Sequence, residues 1–465
     1  MKNLHTPKIL AASVLAALLV GCGDAETTII EGDPIIIEDD HENEGSGDHS
    51  DGGFEIESMG RLAVTSLDSN SVSVFDIDHK SQLDSFDLPH EGTSIYASGD
   101  SRFAVLLARS FDTVGFLDGG LWQEDHVDHP HDYEEDPMMS NFELSGSKPT
   151  HVSTYEGQLA IFFDGDGDAG VPAAVQIVTD NDIVSETTSP ATIDYTVNMH
   201  GVVKPRGEMV LASIRRDDSE TTSHSKSLPD QVGVYHQHDG EMELEQVLEL
   251  TCGDMHGSAQ NHEFVAFGCG DSVLVAHQHD DEFEAHRIDN IEEIAGVRIG
   301  TLFGHEASEV FVGVASSHGS APSALLIIDP EESEMEVIDW QAMEDASPVA
   351  YGFTYDAAHF VILDNQGYLT LLAAEEHDGH THLEFESRLD ISEEDITTMP
   401  DGASFTMTLS KNDNHVYIAD PMAQHILQVD IESMSIEGDI EIDFVPKSMV
   451  WLGIAEEGEG LILFV

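Results

Sequence analysis

Short runs of hydrophobic residues alternating with small polar ones recur along the chain from about residue 58. Gly, Asp and Asn bound these runs, as is typical of β-strands joined by tight turns. Helical periodicity is nearly absent. The pattern predicts an all-β protein, whose clearest strands are 61–66, 71–77, 94–98, 103–108, 114–117, 151–155, 159–163 and 174–178.

The predicted strands form a unit of two or three that recurs about every fifty residues. Later units begin near Met199, Met255, Val297, Pro348 and Met399, and two more strands are predicted at 448–454 and 461–465. Counting the starts gives eight units, the first completed by the C-terminal strand. Closure of this kind is typical of a β-propeller, which protects its sheet edges by radial repetition. We therefore expect an eight-bladed propeller over residues 58–465, with seven blades as the alternative; a pair of β-sandwiches would not give units this regular.

The N-terminal region differs from the repeats. Residues 1–21 have a basic start and a short apolar run that ends directly before Cys22, which resembles the lipobox of bacterial lipoproteins. We expect 1–21 to be a lipoprotein signal peptide and Cys22 to carry lipid, the alternative being a plain secretory signal with an incidental cysteine. Residues 22–57 contain thirteen acids and no Lys or Arg, which favours a solvated tether. The expected location is the periplasm or the cell surface, anchored by lipid at the outer membrane.

The charge limits the possible partners. The chain has 91 Asp and Glu against 17 Lys and Arg, a formal net charge of −74. A nucleic acid or an anionic membrane would repel such a protein, so no nucleic-acid binding is expected and membrane contact should occur only through the lipid anchor. The hydrophobic content of 40% is that of a packed protein, and we expect a monomer.

Histidine is the most unusual component of the sequence, with 26 residues. In a propeller blade the four strands a to d run antiparallel from the axis outward, so all c–d turns open at one end of the ring. Four His-rich segments fall at predicted c–d turns, namely 124–132, 236–239, 277–280 and 377–382. Imidazole with carboxylate suits Zn²⁺, and less selectively Cu²⁺ or Ni²⁺. The longest segment, with His126, His129 and His131, is the strongest candidate; the other turns are weak sites or simple polar turns.

A second set of histidines lies near the axis. His151, His200 and His256 each stand at or near the head of a predicted inner strand, in successive blades. Inner strands converge on the channel, so the three imidazoles are expected to meet and to leave a fourth coordination position open, as in exchangeable zinc sites. The alternative is that one or two of them are buried structural histidines.

The same offset places three further residues. Asp164 follows His151 by thirteen residues and Cys269 follows His256 by thirteen, so both should end strand b close to the metal-binding histidines. Asp164 is then either a ligand or a group that orients an imidazole. Cys252 should meet Cys269, and a disulfide fits this arrangement better than the alternative of a two-cysteine metal site.

Several of these segments together resemble the AztD-type periplasmic zinc metallochaperones. The likeness rests on the His-rich run 124–137, the segment from His151 to Gly165, the stretch 200–202 and the two cysteines 252 and 269. The resemblance implies a β-propeller that binds Zn²⁺ and delivers it to the solute-binding protein of a zinc ABC importer. The predicted lipid anchor, the acidic tether and the extra His-rich turns depart from the family pattern, and they leave open whether delivery or storage dominates.

Two other functions compete with zinc delivery. A propeller metalloenzyme of the lactonase or hydrolase type would use a zinc in the channel to activate water, and it would need a general base beside the three histidines. A surface scaffold would use His and acid only for solubility. The sequence contains no phosphate-binding glycine loop or serine nucleophile elbow, so we expect no enzymatic activity.

Overall fold

The computed structural model describes residues 56–125, 130–238, 241–316, 322–377 and 379–456. Within these ranges the strands form eight four-stranded antiparallel sheets and one two-stranded sheet. The protein is an eight-bladed β-propeller, as the sequence predicts. The predicted signal peptide, lipidated Cys22, nearly all of the tether, His126, His129 and the predicted strand 461–465 lie outside the described residues.

The first four blades hold strands β1 to β17, and a short helix α1 spans Asp180–Val184. Blade 1 contains β1 (Arg61–Ser66), β2 (Ser71–Asp76) and β3 (Ser81–Asp87). Blade 2 contains β4 (Ser94–Ala97), β5 (Phe103–Ala108), β6 (Thr113–Asp118) and β9 (Met138–Ser145), with β7 (Leu121–Asp125) and β8 (Pro130–Glu134) inserted as a hairpin. Blade 3 contains β10 (Pro149–Tyr155), β11 (Gln158–Phe163), β12 (Ala174–Thr179) and β13 (Ala191–Asp194). Blade 4 contains β14 (Val203–Arg206), β15 (Met209–Ile214), β16 (Gln231–His238) and β17 (Glu241–Val247).

The other four blades hold strands β18 to β33, and β34 returns to blade 1. Blade 5 contains β18 (Ser258–Gln260), β19 (Phe264–Gly268), β20 (Ser272–His279) and β21 (Glu282–Asp289). Blade 6 contains β22 (Arg298–Phe303), β23 (Phe311–Ser316), β24 (Pro322–Asp329) and β25 (Glu334–Val337). Blade 7 contains β26 (Pro348–Phe353), β27 (His359–Asp364), β28 (Tyr368–His377) and β29 (His380–Asp390). Blade 8 contains β30 (Thr406–Leu409), β31 (His415–Asp420), β32 (His425–Asp430) and β33 (Ser435–Glu441).

Helices are few in this part of the chain. Besides α1, single 3-10 turns occur at Arg109–Phe111, Glu292–Ile294 and Ile396–Thr398. No described helix combines the length and the apolar character needed to cross a membrane.

The C-terminal strand closes the ring. β34 (Pro446–Leu452) is the innermost strand of blade 1. It pairs antiparallel with β1 in a register that places Arg61 opposite Leu452. Three strands from the N-terminal side and one from the C-terminal side thus complete one sheet, as predicted. The strand predicted at 448–454 is the one that performs this closure.

In the described part of the chain, the hydrophobic core forms eight clusters, each shared by two successive blades of the ring. One cluster joins blades 2 and 3 through Phe103 and Phe116 on one side and Ile161 and Phe163 on the other. Every blade therefore buries both of its faces, and its second strand is buried at nearly every position, as β5 is from Phe103 to Ala108. Burial on both faces explains why these strands are continuously apolar in sequence.

The outermost strands were the hardest to predict. β3 is exposed at almost every position, and β17 is exposed on most of its length. Without an apolar face, such strands carry no hydrophobic periodicity, and their existence is specified by pairing with the buried neighbour. The predicted strands of each blade were accordingly its inner two or three.

A buried carboxyl ties blade 3 to blade 2. Asp180, the first residue of α1, accepts a hydrogen bond from the hydroxyl of Ser98 at 2.8 Å, and its Oδ1 has no partner. Burial, and then the neighbouring Asp100 carboxylate, raise the pKa of Asp180 to about 7. The folded protein therefore keeps this proton at a pH where the unfolded chain has lost it.

We expect Asp180→Asn to change how stability depends on pH. The contribution of Asp180 to wild-type stability should fall as pH rises from about 4 to 7, because the folded state resists ionising Asp180 while the unfolded chain does not. The asparagine variant stays neutral, so its free energy of unfolding should rise relative to wild type over this range, as measured by denaturant unfolding at several pH values. Asp168→Asn, at an exposed position of the same blade, serves as the control. A constant difference between Asp180→Asn and wild type across the range would contradict the assignment.

Candidate metal centre

Three imidazoles from successive blades meet at one end of the ring. His151 lies on β10 of blade 3, while His200 and His256 precede the inner strands of blades 4 and 5 by three and two residues. The Nε2 atoms of His151 and His200 lie 3.3 Å apart, and those of His200 and His256 lie 3.2 Å apart. The structure thus brings together the axial trio that the sequence predicts.

The glycine after two of these histidines allows the neighbouring blade to approach. A Cβ at Gly201 would lie 2.2 Å from the ring of Phe162. Gly257 has a φ of +77°, and a Cβ there would lie 2.6 Å from the carbonyl oxygen of Gly300. Only glycine fits this backbone and this spacing, so each His-Gly pair fixes its imidazole close to the adjoining blade.

Two of the rings have their Nδ1 atoms occupied. His200 Nδ1 lies 2.9 Å from Asp164 Oδ2, and His256 Nδ1 lies 2.7 Å from the carbonyl oxygen of Gly300. Both partners are acceptors, so each Nδ1 of a neutral ring carries the proton and each Nε2 presents its lone pair. Two such lone pairs facing each other at 3.2 Å are repulsive unless a cation lies between them.

The spacing matches a tetrahedral zinc site. Zn–N bonds of about 2.0–2.1 Å give N···N edges of about 3.3–3.4 Å in a tetrahedron. The two Nε2 separations that involve His200, 3.3 and 3.2 Å, agree with these edges, and the three ligand atoms all lie within 4.8 Å of one another. Three imidazoles leave the fourth position for water or for a ligand from another protein.

Burial keeps His151 in its metal-binding form. Burial first, and then the neighbouring His200 and His256, lower the pKa of His151 to about 3. Neutral imidazole is the form that binds metal, so protons do not compete for His151 at neutral pH.

Asp164 orients His200 and is itself held by Arg109. Arg109 Nη2 donates to the same Oδ2 atom at 2.8 Å, while Oδ1 of Asp164 is buried with no partner. Burial opposes ionisation, but the hydrogen bonds from His200 and Arg109 lower the pKa of Asp164 below its ordinary value. Of the two roles considered for Asp164, the contact with Nδ1 of His200 supports orientation of the ring.

Arg109 was not identified from the sequence, although the reasoning that placed Asp164 and Cys269 at the end of a second strand applies to it as well. Arg109 directly follows β5, just as Asp164 directly follows β11 and Cys269 directly follows β19. The ends of the second strands of blades 2, 3 and 5 therefore all point to this end of the ring. The sequence contains no comparable indication that the carbonyl of Gly300 contacts His256, because every residue type offers the same backbone acceptor.

A cavity opens beside the trio. Its volume is about 690 Å³, and its lining includes His200, His256, Asp254, His224 and Arg298. His224 is almost fully exposed at its rim, with Nδ1 2.8 Å from Asp254 Oδ2. Two of the three ligands are therefore accessible from solvent through this opening.

The structure contains a disulfide between Cys252 and Cys269 beside the site. It encloses the segment that carries His256, whose backbone N–H donates to the carbonyl of Gly268 at 2.9 Å. The bridge thus holds the loop that delivers one ligand of the trio, and the alternative of a two-cysteine metal site is not the one adopted.

The predicted His-rich loop of blade 2 is a hairpin. β7 and β8 pair from Leu121 opposite Glu134, and His131, which is partly buried, lies opposite Glu124. Asp132 is buried and accepts hydrogen bonds from the backbone of Ile56 at 2.7 Å and from the side chain of Gln123 at 2.8 Å. The carboxylate of Asp132 is thus used to hold the hairpin.

The axial trio and the His-rich turns lie at opposite ends of the ring. All four turns join a third strand to a fourth, namely β6 to β9, β16 to β17, β20 to β21 and β28 to β29. The trio lies where inner strands begin, and alternation of strand direction puts these two kinds of position at opposite ends. Because the end bearing the turns is remote from the trio, an ion held by the trio is not in contact with them.

Other groups of potential ligands occur among the described residues. Each combines histidine with carboxylate within 4.8 Å, and they are His236 with His238 and Glu245, His377 with Glu375 and Glu384, and His415 with Asp430 and Glu437. The last group was not anticipated, because its members come from three different strands of blade 8 without a local sequence pattern.

Comparisons with known proteins agree with this picture. No family model matches the chain. The chain is 23% identical over 401 residues to a protein named zinc chaperone AztD from Citrobacter koseri, and the match covers 84% of this chain and 86% of that protein. The resemblance expected from the sequence is thereby confirmed.

Solved structures support the fold. Two structures of AztD from Citrobacter koseri, one of the apo protein, match with a TM-score of 0.66 and 19% identity, covering 84% of this chain and 96% of theirs. The dihydro-heme d1 dehydrogenase NirN matches with a TM-score of 0.55 and 10% identity, covering 85% of this chain and 76% of that one. At these identities the matches establish the propeller and not the chemistry.

We expect Asp164→Asn to weaken zinc binding by about 10- to 100-fold, which is the usual cost of losing a carboxylate that orients a metal-binding imidazole. The amide keeps the shape but loses the charge that favours the Nδ1–H form of His200. Competition with a chromophoric chelator measures the affinity, and Asp168→Asn, an exposed aspartate in the following turn, is the control. Equal affinities for the two variants would show that Asp164 does not support the site.

Proposed function

We propose that this protein is a zinc metallochaperone, which holds Zn²⁺ on His151, His200 and His256 and delivers it to the solute-binding protein of a zinc ABC importer. The observation that carries the proposal is the Nε2 spacing of 3.2 and 3.3 Å, which fits a tetrahedral ion with one open position. The likeness to the zinc chaperone AztD supports the same conclusion.

The geometry suits a carrier that must release its ion. A site that encloses its metal with four protein ligands is structural, whereas three ligands and an open position permit exchange. His200 retains 29% of its side-chain exposure, and it lines the cavity together with His256. A ligand from an acceptor protein can therefore enter the coordination sphere of the zinc ion before the three histidines release it.

The surroundings of the trio favour transport over hydrolysis. A zinc hydrolase needs a base placed to activate the metal-bound water. Asp164, the carboxylate in contact with the trio, is engaged by His200 and Arg109 through one oxygen. We therefore assign zinc binding and delivery, with no catalytic role for these residues.

We place the delivery face at the trio end of the ring and not at the His-rich turns. The cavity beside His200 and His256 opens there, whereas the blade 2 hairpin with His131 belongs to the opposite end. In this arrangement His126, His129 and His131 gather zinc independently, and the trio exchanges its ion through the cavity.

Zinc transfer tests this function. Wild-type protein loaded with one Zn²⁺ should pass it to the metal-free solute-binding protein faster than to a small chelator at equal concentration, because docking brings acceptor ligands to the open position. Zinc in each protein is measured after separation by size. His151→Ala with His200→Ala should lower the affinity at least 100-fold and remove the transferable equivalent.

The matched control replaces His377 and His382, two histidines of a remote turn, with alanine. This variant should retain both affinity and transfer rate. Equal rates to acceptor and chelator would exclude direct delivery, and unchanged affinity in the His151 and His200 variant would exclude the trio as the site. Turnover of lactone or ester substrates by the zinc form would favour an enzyme instead.

We further propose that lipid on Cys22 anchors the protein at the outer membrane, facing the periplasm or the cell surface, with residues 23–57 as the tether. The basis is the apolar run that ends at Gly21, followed by Cys22 and an acidic segment. Cys22→Ser should move the protein from the membrane fraction to the soluble fraction on cell fractionation. Retention of the variant in the membrane fraction would contradict a lipid anchor at this residue.

A further inference from the structure

Blade 4 carries at its outer edge a compact group of side chains that could bind a metal ion. His236 and His238 lie two residues apart on β16, so both side chains project from the same face of the sheet. Glu245 of β17 reaches both rings. Its Oε1 lies 2.9 Å from His238 Nε2, and its Oε2 lies 3.7 Å from His236 Nδ1.

A register shift in the β16–β17 pair accounts for this reach. Val234 pairs with Gln246 and Tyr235 pairs with Leu244, so Glu245 is an extra residue without a partner in the ladder. A residue in such a bulge is directed differently from its neighbours. Here the bulge directs the carboxylate between the two imidazoles.

A second carboxylate contacts the other side of one ring. Glu208, in the turn between β14 and β15, has its Oε2 3.6 Å from His236 Nε2. With Nε2 of His236 turned to Glu208, Nδ1 is the atom that faces Glu245. A carboxylate on the far nitrogen of a ligand imidazole orients the ring and strengthens it as a donor.

We propose that His236, His238 and Glu245 form a second zinc site, distinct from the axial trio and at the opposite end of the ring. Two imidazoles and one carboxylate are an established ligand set for Zn²⁺ with an open fourth position. The ligand atoms lie within 4.8 Å of one another, close enough for small side-chain movements to bring them around one ion.

Exposure sets the expected strength of this site. The side chains of His236, His238 and Glu245 retain 17%, 45% and 43% of their exposure. Water therefore competes for the ion and for the ligands, and long side chains must be immobilised on binding. The site should bind more weakly and exchange faster than the trio, which suits the capture of zinc rather than its retention.

Blade 5 supplies a natural control, because the same four-residue sequence, His-Gln-His-Asp, recurs there from His277. His277 pairs with Glu284, as His236 pairs with Glu243, but β20 and β21 pair without a register shift. Two residues beyond Glu284 stands His286, where blade 4 has Glu245. The blade 5 turn thus repeats the two histidines, but at the position of Glu245 it has an imidazole instead of a carboxylate.

The test is a Zn²⁺ titration in a full-length background in which His151, His200, His126, His129 and His131 are replaced by alanine. Into this background we would introduce His236→Ala with His238→Ala, or Glu245→Gln alone, or His277→Ala with His279→Ala. Isothermal calorimetry gives stoichiometry and affinity, and circular dichroism checks that each variant is folded. Because two of the three axial ligands, His151 and His200, are absent throughout, the trio cannot form its site and the result is independent of whether it delivers zinc.

The background should bind zinc at a residual weak site. The blade 4 histidine variant should lose one equivalent, Glu245→Gln should lower the affinity at least tenfold, and the blade 5 variant should match the background. Equal titrations for the blade 4 and blade 5 variants would overturn the proposal. So would a normal affinity in Glu245→Gln, since the carboxylate is what distinguishes the two turns.

Discussion

Packing between neighbouring blades is the constraint on which the site depends. Each blade buries apolar side chains on both faces against its neighbours, so the angle and the height of one inner strand relative to the next are fixed. The clusters between blades 3 and 4 and between blades 4 and 5 hold the strands that bear the axial histidines. The three histidines are far apart in sequence, and only the packing of successive blades brings them together. The geometry of the candidate metal site is therefore a property of the whole ring.

The same packing explains what sequence reasoning could predict. Buried second strands such as β5 and β11 are continuous apolar runs, which identify a blade and set the count. Once the blades are counted, antiparallel alternation gives each loop an end of the ring, and His151, His200 and His256 follow from their position at strand heads. Asp164 and Cys269 follow from the offset to the end of the second strand, as Arg109 would have done.

The features that the sequence could not predict depend on individual backbone atoms and local strand pairing, and not on where a residue stands in its blade. The Nδ1 contact of His256 is made by the backbone of Gly300, and any residue type there would offer the same carbonyl oxygen. The turns of blades 4 and 5 share one sequence, yet only in blade 4 does a bulge direct Glu245 toward both rings. The packing of the whole blade determines where a strand ladder contains an extra residue, so the sequence of the turn does not reveal the bulge.

Ring closure by β34 has a consequence for how the molecule comes into being. Thr65 and Ser448 share a hydrogen bond across 383 residues, so the final sheet cannot form until almost the entire polypeptide has been made and delivered. Until then the inner edge of β1 is an open ladder, which is a template for mispairing with other chains. The closed ring, by contrast, has no terminal blade from which unfolding can start. Its resistance to unfolding therefore depends on the pairing of β1 with β34, which joins the two ends of the chain.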